Sequence, residues 1–255
     1  MAIIIKEFKK IKTKNGIFIE GMPGVGNVGL IAASYLVEQL KPEVFAELHT
    51  GYFGHAVLIK PNAEIQLLKG TFYYYKNRGK EIVFYIGDQQ AISPEKTFDL
   101  VNKILSYLKK IGIKTVITLG GIQKGYPTKQ RKVYGAVSEE KVKEKFKNLK
   151  IDFDNVSKDV GSIIGAVGML TGYAKYYGLE GLCLLSESFS TPFVPDHKGA
   201  KALLEVLEKI LEIEIDYSRI NKKIKEQESI EEKLSKVPIS QPKEEVEEKK
   251  LSYLG

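Results

Sequence analysis

The stretch IFIEGMPGVGNVGLIAASYLVEQL, Ile17 to Leu40, restricts the fold more than any other part of the chain. Ile17–Ile19 reads as a buried strand. A glycine-rich turn follows, and then a helix with Val28, Ile31, Ala32, Tyr35 and Leu36 on one side. Gly21, Gly24, Gly26 and Gly29 sit close together with Pro23 among them. Glycines so placed permit positive φ, or let backbone approach backbone or an anion closely. The helix turns its first N–H groups toward this loop, which makes it a candidate anion seat.

Two readings of the loop stay open, a structural turn and a nucleotide site. Gly24-Val25-Gly26-Asn27-Val28-Gly29 fits G-x-G-x-x-G, and Glu47 lies near the place of a ribose-binding acid. However, Glu20-Gly21-Met22-Pro23 intervenes before the first glycine, which in a dinucleotide fold follows the strand directly. The P-loop pattern fails at Asn27-Val28, where Lys and Ser or Thr are needed. The structural turn is the preferred reading, and no cofactor is compelled.

The rest of the chain repeats strand–helix units. Met1–Lys14 supplies a first strand and a basic turn. Val44–Leu48 is expected as a strand parallel to Ile17–Ile19. Ala56–Lys60, Glu64–Leu68 and Thr71–Lys76 read as inserted hairpin strands, and Asn77-Arg78-Gly79 turns into a buried strand at Glu81–Ile86. Ser93-Pro94-Glu95 opens a helix carrying Phe98, Val101, Ile104, Leu105 and Leu108, and Gly112 closes it. Ile113–Leu119, Val133–Val137 and Gly181–Leu185 read as strands, Ser138–Phe146 as a helix partly capped by Ser138, and Asp196–Leu211 as a further helix. Gly161–Tyr177 reads as a glycine-studded helix, whose glycines imply close packing because each costs about 1 kcal/mol against alanine. The pattern predicts an α/β fold with a mainly parallel sheet, helices on both faces and a β-hairpin insertion.

From Arg219 the character changes to Lys and Glu, with Pro238 and Pro242. Helix is expected to about Lys236 and a flexible charged tail beyond it, so the α/β domain is placed at 1–217 and the tail at 218–255. Leu251-Ser252-Tyr253-Leu254-Gly255 restores hydrophobicity at the end, as a frayed terminus or as a tethered anchor peptide.

Charge and composition exclude several classes. The chain of 255 residues carries a net charge of +7, but acids and bases nearly balance after Arg219, so the excess lies in the body. No aromatic–basic motif of an RNA module accompanies it, and no nucleic-acid partner is expected. The single Cys183 lies in an apolar run, which suits a reducing cytoplasm and rules out an intrachain disulfide. The N-terminus lacks the form of a signal peptide, and no apolar run approaches the ~20 residues of a membrane span. Abundant Lys, Glu and Ile without Trp is a thermophile's composition.

The site candidates are few. His49, His55 and His197 have no metal-ligand spacing, so no metal is expected. Ser186-Glu187-Ser188 follows a strand without the G-x-S-x-G elbow of a serine nucleophile, and is expected to cap glycine-loop amides. Gly24, Gly26, Asn27, Asp88, Gly121, Ser186, Glu187 and Ser188 are expected to line one crevice; no catalytic set is identified. Lys124, Lys129, Arg131 and Lys132 form a basic loop, expected to be solvated.

The segment EGMPGVGNVGLIAASYL, followed in order by TLGGIQKGYPT (Thr118–Thr128) and LSESFSTPFVPD (Leu185–Asp196), resembles the archaeal PAC2 family, relatives of proteasome-assembly chaperones. The likeness covers Ile17 to Ile215. It implies a three-layer fold similar to nucleoside phosphorylases and a homo-oligomer. It also implies a chaperone-like function that needs no ATP, with proteasome α subunits or the 20S core particle as partner. Some members contact the α ring through a C-terminal hydrophobic-Tyr-any motif with Tyr penultimate. Here Tyr253 is third from the end and Leu254 penultimate, so the implied partner-binding residues are Leu251, Tyr253, Leu254 and Gly255 in a variant arrangement. The competing class is a nucleotide- or nucleoside-binding protein or enzyme acting at Gly24–Gly29.

Overall fold

Adjacent residues Phe18 and Ile19 are both fully buried, one in each of two large apolar clusters. Side chains alternate along a strand, so a sheet covered on both faces must separate those clusters. The computed structural model describes residues 3–124, 130–189 and 195–235, with side chains to residue 229. In it, β1 (Ile4–Glu7), β3 (Glu43–His49), β6 (Lys69–Asn77), β7 (Lys80–Gly87), β2 (Gly16–Gly21), β8 (Ile113–Gln123), β10 (Glu180–Ser188) and β9 (Val133–Val137) form one sheet in that spatial order.

The four central strands β7, β2, β8 and β10 are parallel. Their near-continuous apolar sequences suit strands buried on both faces. The flanking pairs are antiparallel. Helices α1 (Val28–Leu40) and α6 (His197–Leu211) cover one face; α2 (Pro94–Lys110) and α5 (Ala166–Ala174) cover the other. The α/β three-layer expectation therefore holds, with its parallel part at the centre.

Local chemistry accounts for several boundaries. Ser93 Oγ accepts the Lys96 N–H at 3.3 Å, and Pro94 occupies the first helical position of α2. Arg78 and Gly79, both at positive φ (47° and 81°), make the two-residue turn between β6 and β7. Asp196 caps α6 through the Gly199 N–H at 2.9 Å. The hairpin insertion is present as β4 (Val57–Ile59) paired with β5 (Ile65–Leu67), a separate two-stranded sheet.

Four expectations change. β3 runs in the same direction as β2 but is not its neighbour, because the β6–β7 hairpin lies between them. Ser138 does not cap α3 (Glu140–Phe146); its hydroxyl accepts the Gly181 N–H at 2.9 Å instead. In the Gly161–Tyr177 run only Ala166–Ala174 is α-helix, because Gly161 and Gly165 take positive φ in the preceding turn. A Cβ on Gly172 would meet nothing within 4 Å, so close packing does not account for that glycine.

The charged segment after Tyr217 forms α7 (Ser218–Ser235), with a narrow buried stripe in a sequence that has almost no periodic apolar face. Ile220 and Gln227 are buried, and Ile224 packs against the core. Lys198 pairs with Glu228 at 2.7 Å, so α7 runs back along α6 toward its start. The expected tail after 235 lies outside the described residues.

Candidate functional site

The carboxyl ends of β7, β2, β8 and β10 form the edge at which open parallel sheets commonly take ligands. From β2 the chain passes through Met22–Gly24, makes one 3-10 turn at Val25–Asn27 and enters α1. Gly26 and Asn27 have φ of 59° and 50°, left-handed values that glycine adopts freely and asparagine tolerates. A Cβ on Gly29 would stand 2.2 Å from the Leu119 carbonyl oxygen, and one on Gly121 2.4 Å from that of Val25. These glycines let the loop and the first turn of α1 lie directly on β8. Gly24 differs: its backbone is extended and a Cβ there meets nothing within 4 Å.

The loop's polar backbone is engaged by the chain itself. The Asn27 N–H donates to Gly24 O at 2.9 Å, and Gly26 O accepts the Asp196 N–H at 2.8 Å. The dinucleotide reading also loses its ribose acid. Glu47 sits on β3, with β7 and β6 between it and β2, and pairs with Lys69 and with His49 at 3.0 Å.

Asp196 is the hub of the edge. Fully buried, it accepts from Ser188 Oγ at 3.0 Å, from the Phe189 N–H at 3.1 Å and from Gly199, and pairs with Arg131 at 3.2 Å. Glu187 faces β9, accepting the Lys132 N–H at 3.2 Å and the Tyr134 hydroxyl at 3.3 Å. Ser186 Oγ donates to Glu187 O at 3.2 Å. The expected capping of glycine-loop amides by Ser186, Glu187 or Ser188 therefore does not occur. The Asp196 main chain supplies the link to the loop.

Gly26, Asn27, Gly121 and Ser186–Ser188 thus gather at one edge, and Gly24 lies at its open rim. Asp88 does not join them: it turns to β6, where its carboxylate accepts the Lys69 N–H at 2.9 Å. Of the basic loop, Lys129 lies outside the described residues, and Arg131 and Lys132 are not simply solvated. The Arg131 side chain is only 5% exposed against Asp196, and Lys132 pairs with Asp152. Lys132 is held above the usual lysine range by that carboxylate.

Sequence reasoning missed Glu20, the one charged side chain in the strand before the loop. It is fully buried, and burial pushes its carboxyl up to about 8, partly offset by the Leu119 and Met22 N–H groups. Leu119 donates to Oε2 at 3.4 Å, while Oε1 has no hydrogen-bond partner. The carboxyl thus meets an N–H of β8 where β2 peels away into the loop. Tyr85, Thr118 and Cys183 extend the row on the same face of the sheet, and burial pushes the Cys183 thiol up to about 12, which keeps it unreactive. A groove of about 810 Å³ lies elsewhere, between α2 and α5, lined by Asn102, Ile163, Met169, Tyr173, Tyr176 and Tyr177.

The model of the PAC2 family matches residues 18–236, which take in the glycine loop, Asp196 and all of α7. The chain belongs to the PAC2 family. This PAC2 protein is similar in structure to Pyrococcus furiosus PbaB, an archaeal proteasome activator, with a TM-score of 0.85 and 33% identity over 91% of this chain and 98% of that one. It is also similar to Pyrococcus furiosus PbaA, an archaeal homolog of proteasome-assembly chaperone, with a TM-score of 0.71 and 29% identity over 91% and 95% of the two chains. An uncharacterised protein of Methanocaldococcus jannaschii is 35% identical over 92% of this chain and 89% of its own length. Among the described residues of this PAC2 protein, no helix is long and apolar enough to cross a membrane.

Proposed function

We propose that this PAC2 protein is an ATP-independent proteasome-assembly chaperone or core-particle-binding, activator-like protein rather than an enzyme. It acts as a homo-oligomeric platform whose C-terminal tails engage proteasome α subunits or the 20S core particle. The observation that carries the reading is the likeness to an archaeal proteasome activator, with a TM-score of 0.85 over 91% of the chain. Two features of the protein agree with it. The glycine loop spends its close contacts on β8 and Asp196. Helix α7, which precedes the proposed tail in the chain, runs back along α6 toward the loop's edge.

The test is recovery of α subunits and core particle by the full chain and by a chain ending at Lys250. The full chain recovers them without nucleotide. The shortened chain recovers far less, since linked weak anchors raise avidity by ~10²–10⁴. Equal recovery removes the tail as an anchor, and no recovery by either chain overturns the reading. A second reading, a nucleoside- or nucleotide-binding site at Gly24–Gly29, draws on Glu20, a buried acid beside the loop whose pKa is displaced toward neutrality.

A further inference from the structure

Hairpin β4–β5 carries its apolar side outward. Val57 faces Leu67 and Ile59 faces Ile65 across the two strands, so the period-2 alternation sets these four side chains on one face. Their exposures are 46%, 64%, 76% and 70%. None of them belongs to, or packs against, any of the three buried clusters, whereas Leu68, one residue on, packs against the largest. The opposite face, with Leu58 at 45% exposure beside Gln66, the least exposed residue of β5, carries a single apolar side chain. A hairpin of a folded domain ordinarily turns the polar side to water, and two strands alone are marginal in water.

We infer that this face is a contact surface with a second copy of the same chain. The inference rests on the homo-oligomeric platform proposed above and names the surface that builds it. Size and charge select a second copy as occupant. At those exposures the four side chains put roughly 450 Å² of apolar surface into water, the size of the largest patch on an ordinary monomer. Two such faces joined cover about 900 Å² before their rims are counted, close to the ~1,000 Å² at which specific interfaces begin. The face bears no charge, and the nearest charges at the tip, Lys60 and Glu64, pair with each other at 3.1 Å. A uniformly apolar, charge-free patch is complementary to itself, as a two-fold interface requires.

The test is the solution mass of the full chain, by size exclusion with light scattering, against an Ile59→Lys/Ile65→Glu double variant. These residues face each other across the strands, so the new charges pair and keep the hairpin. The wild type is expected as an oligomer. The variant is expected to lose at least half of that mass, reaching 28.6 kDa if this is its sole interface, with an unchanged melting temperature at dilution. A variant of undiminished mass, or a monomeric wild type, overturns the inference. So does a variant that keeps its mass but loses core-particle capture, because the face then belongs to the proteasome. A wild type that oligomerises through the hairpin yet captures no proteasome subunit leaves this inference standing and overturns the functional reading instead.

Discussion

Glu20→Gln should make this protein more stable, although it alters a fully buried side chain beside the sheet's functional edge. The carboxyl is held near 8, against 4.5 for the free group, chiefly because burial disfavours its charge. Below about pH 4.5 the folded and unfolded chains both hold the proton, and the group adds nothing to the pH dependence. As pH rises from 4.5 toward 8 the unfolded chain releases the proton while the folded chain keeps it, so stability falls; above about 8 the two lose it alike and the loss levels off. At about 1.4 kcal/mol per pH unit, the interval amounts to about 5 kcal/mol, of which about 3 kcal/mol is gone at pH 7. Glutamine has the shape of the protonated acid. Its carbonyl oxygen can accept the Leu119 N–H, and its amide sits where Oε1 already lacks a partner. Urea unfolding of both proteins from pH 4.5 to 9 measures the difference, and other titrating groups cancel in the comparison. The expected gap is near zero at pH 4.5, about 3 kcal/mol in favour of glutamine at pH 7, and flat above pH 8. Parallel curves, or a less stable Gln variant at pH 7, would refute a neutral Glu20.

Three further substitution and ligand tests follow from the same edge. Gly29→Ala drives a Cβ into the Leu119 carbonyl and should cost about 1–3 kcal/mol or more, whereas Gly24→Ala meets open space and should stay within about 0.5 kcal/mol; thermal melts separate them. Asp196→Ala removes the α6 cap and leaves Arg131 buried without this carboxylate, an expected loss of about 3–5 kcal/mol in chemical denaturation. Asp196→Asn keeps the cap acceptor and should lose less. Nucleosides and nucleotides should leave the melting temperature unchanged; a rise that Gly26→Val abolishes would favour the ligand-binding reading.

What could be read from the sequence was what single segments determine. Ser93-Pro94 fixed the start of α2, the short apolar run Val133–Val137 gave the limits of β9, and Asp196 marked the start of α6, because cap and strand signals act over a few residues. The order of the sheet was not legible, since nothing local tells β3 that the β6–β7 hairpin will lie between it and β2. The site divided in the same way. The glycine turn was visible, but the reason for Gly29 is a carbonyl on a strand some ninety residues away. Arg131 looked like part of a solvated basic loop, and only folding brings Asp196 against it. Glu20 did carry a signal, a charge inside an apolar strand; without the neighbouring strands it could not be told whether water reached it.

The most direct test of the central claim is co-sedimentation of the purified full chain with archaeal 20S core particle, without nucleotide, over a micromolar concentration series. A saturable complex is the predicted result. A chain that stays at the top of the gradient at every concentration, with core particle and α subunits alike, would contradict the account.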